Sequence, residues 1–264
     1  MQKPLRLVSL AAACAVAGAA LYGAGAATAG QSTANSTKEP YNIGVLVQDI
    51  DTYYGTTLDS DGVYQPSANS QYVKDLTGIE ADAKKYIDQA SRKAQHKGQK
   101  PAVVFDIDDT LLLSLDYEKR TNYTYNSATW ADYVAKADRP AVPGTPDLIN
   151  YAKAKGVEVF YNSGLNESQR ASAVENLKKV GADVNLDAAH IFLKDAANPP
   201  AYLKSCATPG TWKCTTVEYK SGTRAHIESL GYNIIANFGD QYSDLDGGHA
   251  DKRYKLPNPT YFVG

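Results

Sequence analysis

The chain has 264 residues, with 27 lysines and arginines against 29 aspartates and glutamates and a formal net charge of −2. Without any long basic run, this balance argues against nucleic acid as a partner. The length suits one large α/β domain or two small ones, and nothing between Lys100 and Gly264 reads as a linker, so one domain with insertions is expected.

Lys3 and Arg6 precede an Ala-rich apolar run from Leu7 to about Ala27, and Ala27-Thr28-Ala29 supplies small residues for cleavage before Gly30. Residues 1–29 therefore read as a secretory signal peptide. A retained anchor is the competing reading, but the Ala and Gly content matches poorly the Leu-rich segments that stay in bilayers. Loss of Lys3 and Arg6 leaves 25 basic against 29 acidic residues and a chain with no expected membrane association. Residues 30–70 are rich in Ser, Thr, Asn, Asp and Gly and read as a flexible arm. Asp59-Ser-Asp61-Gly62 looks briefly like a calcium loop, yet Thr57 and Ala68 stand where ligands are required, so a turn is expected.

From residue 71 the pattern becomes that of a folded domain reaching to residue 264. Apolar residues at Val73, Leu76, Ile79, Ala83, Tyr86 and Ile87 are close to helical spacing and predict a helix over 73–94. Ala102 to Phe105 is too apolar for a surface strand and reads as a central one buried on both faces. Asp106 is the first polar side chain after it. Side chains alternate along a strand, so Asp106 and Asp108 start on the same side while Ile107 turns into the core. Two carboxylates so placed call for a cation between them, and a hard divalent ion such as Mg²⁺ would serve. An acidic turn is the plain alternative.

Residues 113–139 form an aromatic insertion carrying Tyr117, Tyr123, Tyr125, Trp130 and Tyr133. Most of these rings are expected to pack on the core, with one or two stacking on the organic part of a ligand. A segment over 142–155, helical in its later part and ended by Gly156, a strand over 157–161, and a helix over 167–180 capped by Asn166 and ended by Gly181 follow. A short strand over 189–193, a helix over 223–230 and a strand over 232–238 complete a βαβ rhythm. Such a rhythm predicts a doubly wound parallel sheet with helices on both faces and the functional strand ends along one edge. Residues 196–217 are a second insertion. Cys206 and Cys214 lie in it, eight residues apart around Pro209-Gly210, and in an oxidising compartment read as a disulfide closing a surface loop.

Asp106-x-Asp108-x-Thr110 after a hydrophobic strand resembles the first motif of the haloacid dehalogenase superfamily. Three later segments resemble the others in order: a strand ending at Ser163, Lys220 within Glu-Tyr-Lys-Ser-Gly-Thr-Arg, and a strand ending in Gly239-Asp240 with Asp244 four residues on. Gly-Asp-Gln-x-x-Asp-Leu and the terminal Lys255-Leu-Pro-Asn-Pro-Thr-Tyr are similar to the subfamily IIIB acid phosphatases of plants and bacteria. The resemblance implies the superfamily's Rossmann-like core with small cap-like insertions and a leading helix. It also implies a secreted, Mg²⁺-dependent enzyme acting on small phosphomonoesters through an aspartyl phosphate. Asp106 is then the nucleophile, Asp108 the general acid and base, and Lys220 a neutralising cation placed just ahead of a helix N-terminus. The metal falls to Asp106, Asp240 and the backbone carbonyl of Asp108, with Asp244 in support from behind or through water. Ser163 and the Gly164 amide bind the phosphoryl oxygens, and Thr110 orients the nucleophile loop. Many relatives carry Arg two residues after the motif-two hydroxyl; here that position is Leu165. A non-catalytic storage protein keeping the fold is the alternative from another class, and phosphotransfer to an alcohol is a third. Loss of the nucleophile would mark a storage form, and Asp106 is present. His249, in a Gly-Gly loop after Asp244, is the one histidine whose position in the chain brings it near the site, and a surface-loop role is the favoured reading for it. The oligomeric state is left open.

Overall fold

The computed structural model describes residues 40–264, so the expected signal peptide and residues 30–39 of the arm lie outside it. Residues 41–264 form one compact unit. Its first elements are helix α1 (Ile43–Tyr54), a two-residue-per-strand hairpin β1 (Thr57–Leu58) and β2 (Tyr64–Gln65), and the long helix α2 (Gln71–His96). Strand β3 (Lys100–Phe105) is followed by the short helices α3 (Leu115–Arg120) and α4 (Ser127–Ala135) of the first insertion and by α5 (Thr145–Ala154). Then come β4 (Glu158–Asn166), α6 (Arg170–Lys179) and β5 (Ile191–Lys194), with a hairpin β6 (Ala207–Thr208) and β7 (Thr211–Trp212) in the second insertion. Helix α7 (Thr216–Ser229), strand β8 (Tyr232–Gly239), the single turn α8 (Tyr242–Leu245) and strand β9 (Lys252–Lys255) close the chain.

The central sheet runs β5-β4-β3-β8-β9, every pair parallel. β3 lies in the middle, as its unbroken apolar sequence requires. Its residues alternate between two cores: Val103 and Phe105 join the larger one with Ile87 of α2, Ile149 of α5 and Leu177 of α6, while Ala102 and Val104 meet Ile227 of α7 on the other face. This is the three-layer, doubly wound architecture that the βαβ rhythm predicts.

Three expectations change. Residues 40–70 are not a flexible arm: Asn42 caps α1 by accepting from the Gly44 and Val45 amides, Gly55 ends it in the left-handed conformation, and Ile50 and Tyr54 enter the core. Composition missed this because residues 30–70 taken together are polar, which hid the largely apolar Ile43–Tyr54 stretch, although Ile43, Val45 and Leu46 of it stay exposed. Helix α7 begins seven residues earlier than expected, at a capping box in which Thr215 and Glu218 satisfy each other's backbone amides, so Lys220 sits inside the helix instead of ahead of it. The edge strand β9 was not foreseen, because Lys252-Arg-Tyr-Lys lacks an apolar alternation and is held by backbone pairing to β8. Asp59 does form a turn, its carboxylate accepting from the Asp61 and Val63 amides.

Candidate active site

Parallel pairing brings the ends of β3, β4, β5 and β8 to one edge of the sheet, and the residues that follow them converge there. The Asp106 amide donates to the Phe238 carbonyl at 2.9 Å, carrying the ladder between β3 and β8 one residue past the end of β3. Beyond it the chain turns tightly. Asp109 adopts a left-handed φ of 52°, its carboxylate accepting from the Ser114 amide at 2.8 Å and from the Ser114 hydroxyl. On the β8 side, a Cβ at Gly239 would stand 2.5 Å from the Asp244 Cβ, so glycine lets the two acidic positions of this loop close on each other.

Asp106, Asp240 and Asp244 each present a carboxylate oxygen within 4.8 Å of the others, and all three are buried. Burial raises the Asp106 carboxyl well above the ordinary range; Lys220 opposes this, while Asp244, Asp240 and Asp108 add to it. Asp240 is pushed up to about 7 by burial, then by Asp244 and Asp109, against the hydrogen bonds it accepts. Those bonds come from Thr110 Oγ1 at 3.3 Å on one oxygen, and from Gln241 Nε2 at 2.8 Å and Asn258 Nδ2 at 2.7 Å on the other. A buried group of hard oxygen donors with more negative charge than its surroundings neutralise fits a divalent cation such as Mg²⁺.

Lys220, 2% exposed, donates to Asp106 Oδ1, to the Asn162 carbonyl and to Asp244 Oδ1, the last at 3.0 Å. Burial works against its charge, but Asp106 and Asp244 outweigh it and its pKa is raised. Asn162 Nδ2 in turn holds the Lys220 carbonyl at 3.0 Å, which ties α7 to β4. Asp108 faces the same cavity as Asp106, while Ile107 is fully buried, as alternation predicts. One Asp108 oxygen accepts from Arg139 Nη1 at 2.6 Å; among the described residues the other has no hydrogen-bond donor.

The cavity measures about 410 Å³. Asp106, Asp108, Lys220, Asp240 and Asp244 form its acidic end, and Gly164 and Lys194 stand in its wall. Of the insertion's aromatic residues, Tyr123, Tyr125 and Trp130 line it, whereas Tyr117 and Tyr133 pack against Trp130 with ring centroids 5.0 and 5.8 Å away. Ser163 and Thr110 are fully buried and are not in the wall: the Ser163 hydroxyl accepts from the Leu165 amide at 3.1 Å, and Thr110 serves Asp240. His249 is also outside it, paired at the surface with Glu228 at 2.6 Å. The second insertion contributes only Thr216. Its Cys206–Cys214 disulfide, with Cα atoms 4.7 Å apart, instead braces a small cluster of Leu203, Ala207 and Tyr219 beside Lys220.

Several residues of the site escaped the motifs. Arg139 and Asn258 lie far in sequence from Asp108 and Asp240, to which they donate, and Glu118 and Lys194 line the cavity from outside the motifs; only the Asn258 segment carried a signal, through the terminal Leu-Pro-Asn-Pro run.

The structure resembles the class C acid phosphatase from Bacillus anthracis, with a TM-score of 0.54 and 24% identity over 73% of this chain and 81% of that one, which shows the fold. In sequence the chain is 34% identical to the Stem 28 kDa glycoprotein of Glycine max over 62% of this chain and 61% of that protein. It is 34% identical to Vegetative storage protein 1 of Arabidopsis thaliana and 30% identical to Acid phosphatase 1 of Solanum lycopersicum, each over 61% of this chain. The chain spans 61%, 54% and 58% of the length of these three relatives. The family model of HAD subfamily IIIB acid phosphatases matches residues 56–264, nearly all of the described chain. The protein therefore belongs to the haloacid dehalogenase superfamily, subfamily IIIB.

Proposed function

We propose that the chain is a secreted, Mg²⁺-dependent acid phosphatase that hydrolyses small phosphomonoesters. The observation that carries this is the convergence of Asp106, Asp240 and Asp244 on one buried point with Lys220 bound to Asp106. A phosphomonoester dianion repels a carboxylate nucleophile, so phosphoryl transfer depends on charge neutralisation and positioning. Asp106, Asp240 and the Asp108 backbone carbonyl would hold Mg²⁺, with Asp244 beside them in the buried cluster, and the ion's contribution would be to offset the negative charge of phosphate and carboxylates together. Secretion is supported by the apolar N-terminal run and the disulfide.

An ionised carboxylate needs no base to make it a nucleophile. Asp106 attacks phosphorus, the bond to the leaving oxygen breaks, and Asp108 gives that oxygen a proton. Water then attacks the aspartyl phosphate while Asp108 takes its proton, releasing inorganic phosphate and restoring Asp106. Asp108 suits this exchange because one of its oxygens is fixed by Arg139 and the other faces the cavity unpartnered among the described residues. The Gly164 backbone amide would bind phosphoryl oxygens, a role supported by its position in the cavity wall; Ser163 and Thr110 would act by shaping the loops that carry Gly164 and Asp240. Tyr123, Tyr125 and Trp130 would meet the organic part of the ester.

Two relatives are named as storage proteins, and a storage role is the competing reading. The Asp106–Lys220 pair speaks for catalysis. Asp106→Asn should remove turnover, by at least about 10³-fold, with the thermal midpoint little changed, and excess chelator should do the same to the wild-type chain. Full activity of Asp106→Asn would sink the aspartyl-phosphate mechanism, and inactivity of the wild-type chain with Mg²⁺ toward a panel of phosphomonoesters would favour storage.

A further inference from the structure

We propose that Lys194 is a phosphate-binding residue, supplying the transferred phosphoryl group with the cation that Leu165 cannot. The proposal rests on the phosphatase reading above and adds a residue outside the four motifs. Leu165 is 2% exposed with its side chain in the larger core, so the position two residues after Ser163 offers no charge to the cavity. Strand β5 fills the gap from the side. In the register of β4 with β5, Lys194 stands opposite Asn166, which lays the end of β5 along the segment from Ser163 to Asn166. The Lys194 ammonium lies 4.0 Å from the point a Cβ on Gly164 would occupy, and its side chain lines the cavity with Asp106, Asp108 and Lys220.

What separates Lys194 from the other cations here is that it has nothing to hold. Lys220 is spent on Asp106, Asp244 and the Asn162 carbonyl, and the Arg139 guanidinium reaches the cavity only through Asp108. Among the described residues, Lys194 Nζ makes no hydrogen bond and no ion pair; burial, and then the charge of Lys220, lower its pKa against the opposing pull of Asp106, Asp244 and Asp108. A half-buried ammonium kept beside another cation is unfavourable unless an anion joins them. A phosphoryl group bound at Asp106 and Gly164 is that anion, and the compact ammonium would meet its oxygens as a point charge.

The test uses the full chain with Mg²⁺ and inorganic phosphate as competitive ligand, comparing wild type, Lys194→Met and Lys194→Arg. Methionine keeps the length of the stem and its packing, so the thermal midpoint should hold. Lys194→Met should weaken phosphate inhibition about 10- to 100-fold, the range for a charge-assisted hydrogen bond. It should raise KM by a similar factor whatever the leaving group, with Lys194→Arg staying within a few-fold of wild type. Unchanged phosphate inhibition in Lys194→Met overturns the proposal. A loss confined to esters of one leaving group overturns it too, since the ammonium would then serve the organic part. If instead the wild-type chain neither hydrolyses phosphomonoesters nor binds phosphate, it is the phosphatase reading that fails.

Discussion

Arg139 holds a full charge at 2% exposure, and two of its nitrogens, Nε and Nη2, have no hydrogen-bond partner. Leaving charged donors unpaired in the interior costs about 1 to 3 kcal/mol each, so something other than stability keeps the residue there. Its backbone amide and carbonyl are both held by the Asn176 side chain, and its guanidinium lies 5.4 Å from the Trp130 ring centre, which leaves one arm fixed on Asp108. Arg139→Met should therefore cost little stability, because Asp108 borders the cavity and water can solvate it once the pair is gone. Turnover should fall about 10²-fold with KM nearly unchanged, since a misplaced proton donor slows the reaction without weakening the complex. A kcat within threefold of wild type would show that Arg139 does not position Asp108. Glu118, 5% exposed in the cavity wall, makes a second test. Burial, with a smaller push from Asp109, raises its carboxyl from 4.5 to about 7. Below the unfolded value the group is protonated in both states and contributes nothing; between the two values the unfolded chain binds fewer protons, so stability falls as pH rises. Glu118→Gln should thus gain thermal stability over wild type progressively from about pH 5 to pH 7 and hold that gain above it. Parallel stability curves for the two proteins would contradict the burial of this carboxyl.

At the level of elements, what could be read from the chain was whatever depended on local pattern. The run Ala102 to Phe105 had to be central, and the capping and glycine signals around 142–181 placed α5 and α6 within a few residues. Helix α7 was legible too, since Thr215-x-x-Glu218 is a capping box, yet the helix was expected only from Thr223. Helix α1 bore the same kind of marks, Asn42 before it and Gly55 after it, and was masked by a polar composition. Strand β9 was not legible at all, because a charged edge strand is defined by its neighbour's backbone and not by its own side chains. The motif aspartates and Lys220 were found because each sits at or near the end of an element with a recognisable sequence. Arg139 and Lys194 were not, because each acquires its meaning only where β3, β4 and β5 come together, 31 residues from Asp108 in one case and 30 from Gly164 in the other.

The whole molecule depends on where the folded unit begins, and here the structure and the family boundary part company. The family model starts at residue 56, just before the hairpin, whereas the compact unit starts at Tyr41. Helix α1 buries Ile50 and Tyr54, and the Tyr54 ring lies 4.4 Å from that of Tyr72 on α2. The same region grips the first insertion: Lys119 pairs with Asp51 at 2.7 Å, Asp116 accepts from the Tyr64 amide at 3.0 Å, and Arg120 donates to the Gly62 carbonyl at 2.5 Å. These three residues belong to α3, which also carries Glu118 into the cavity wall, so residues 41–70 brace the side of the cavity formed by the first insertion. Burying two large apolar side chains contributes roughly 3 to 6 kcal/mol. A chain beginning at Gln71 should accordingly unfold at much lower urea than one beginning at Tyr41. Tyr54→Ala in the longer chain should cost about 3 to 5 kcal/mol and still leave a protein whose kinetics can be measured. Because the aspartate cluster lies on the sheet and the aromatic wall on the insertion, KM for aryl esters should rise in Tyr54→Ala more than kcat falls. Urea midpoints for the two chain lengths that coincide would mean that residues 41–70 lie on the domain without supporting it.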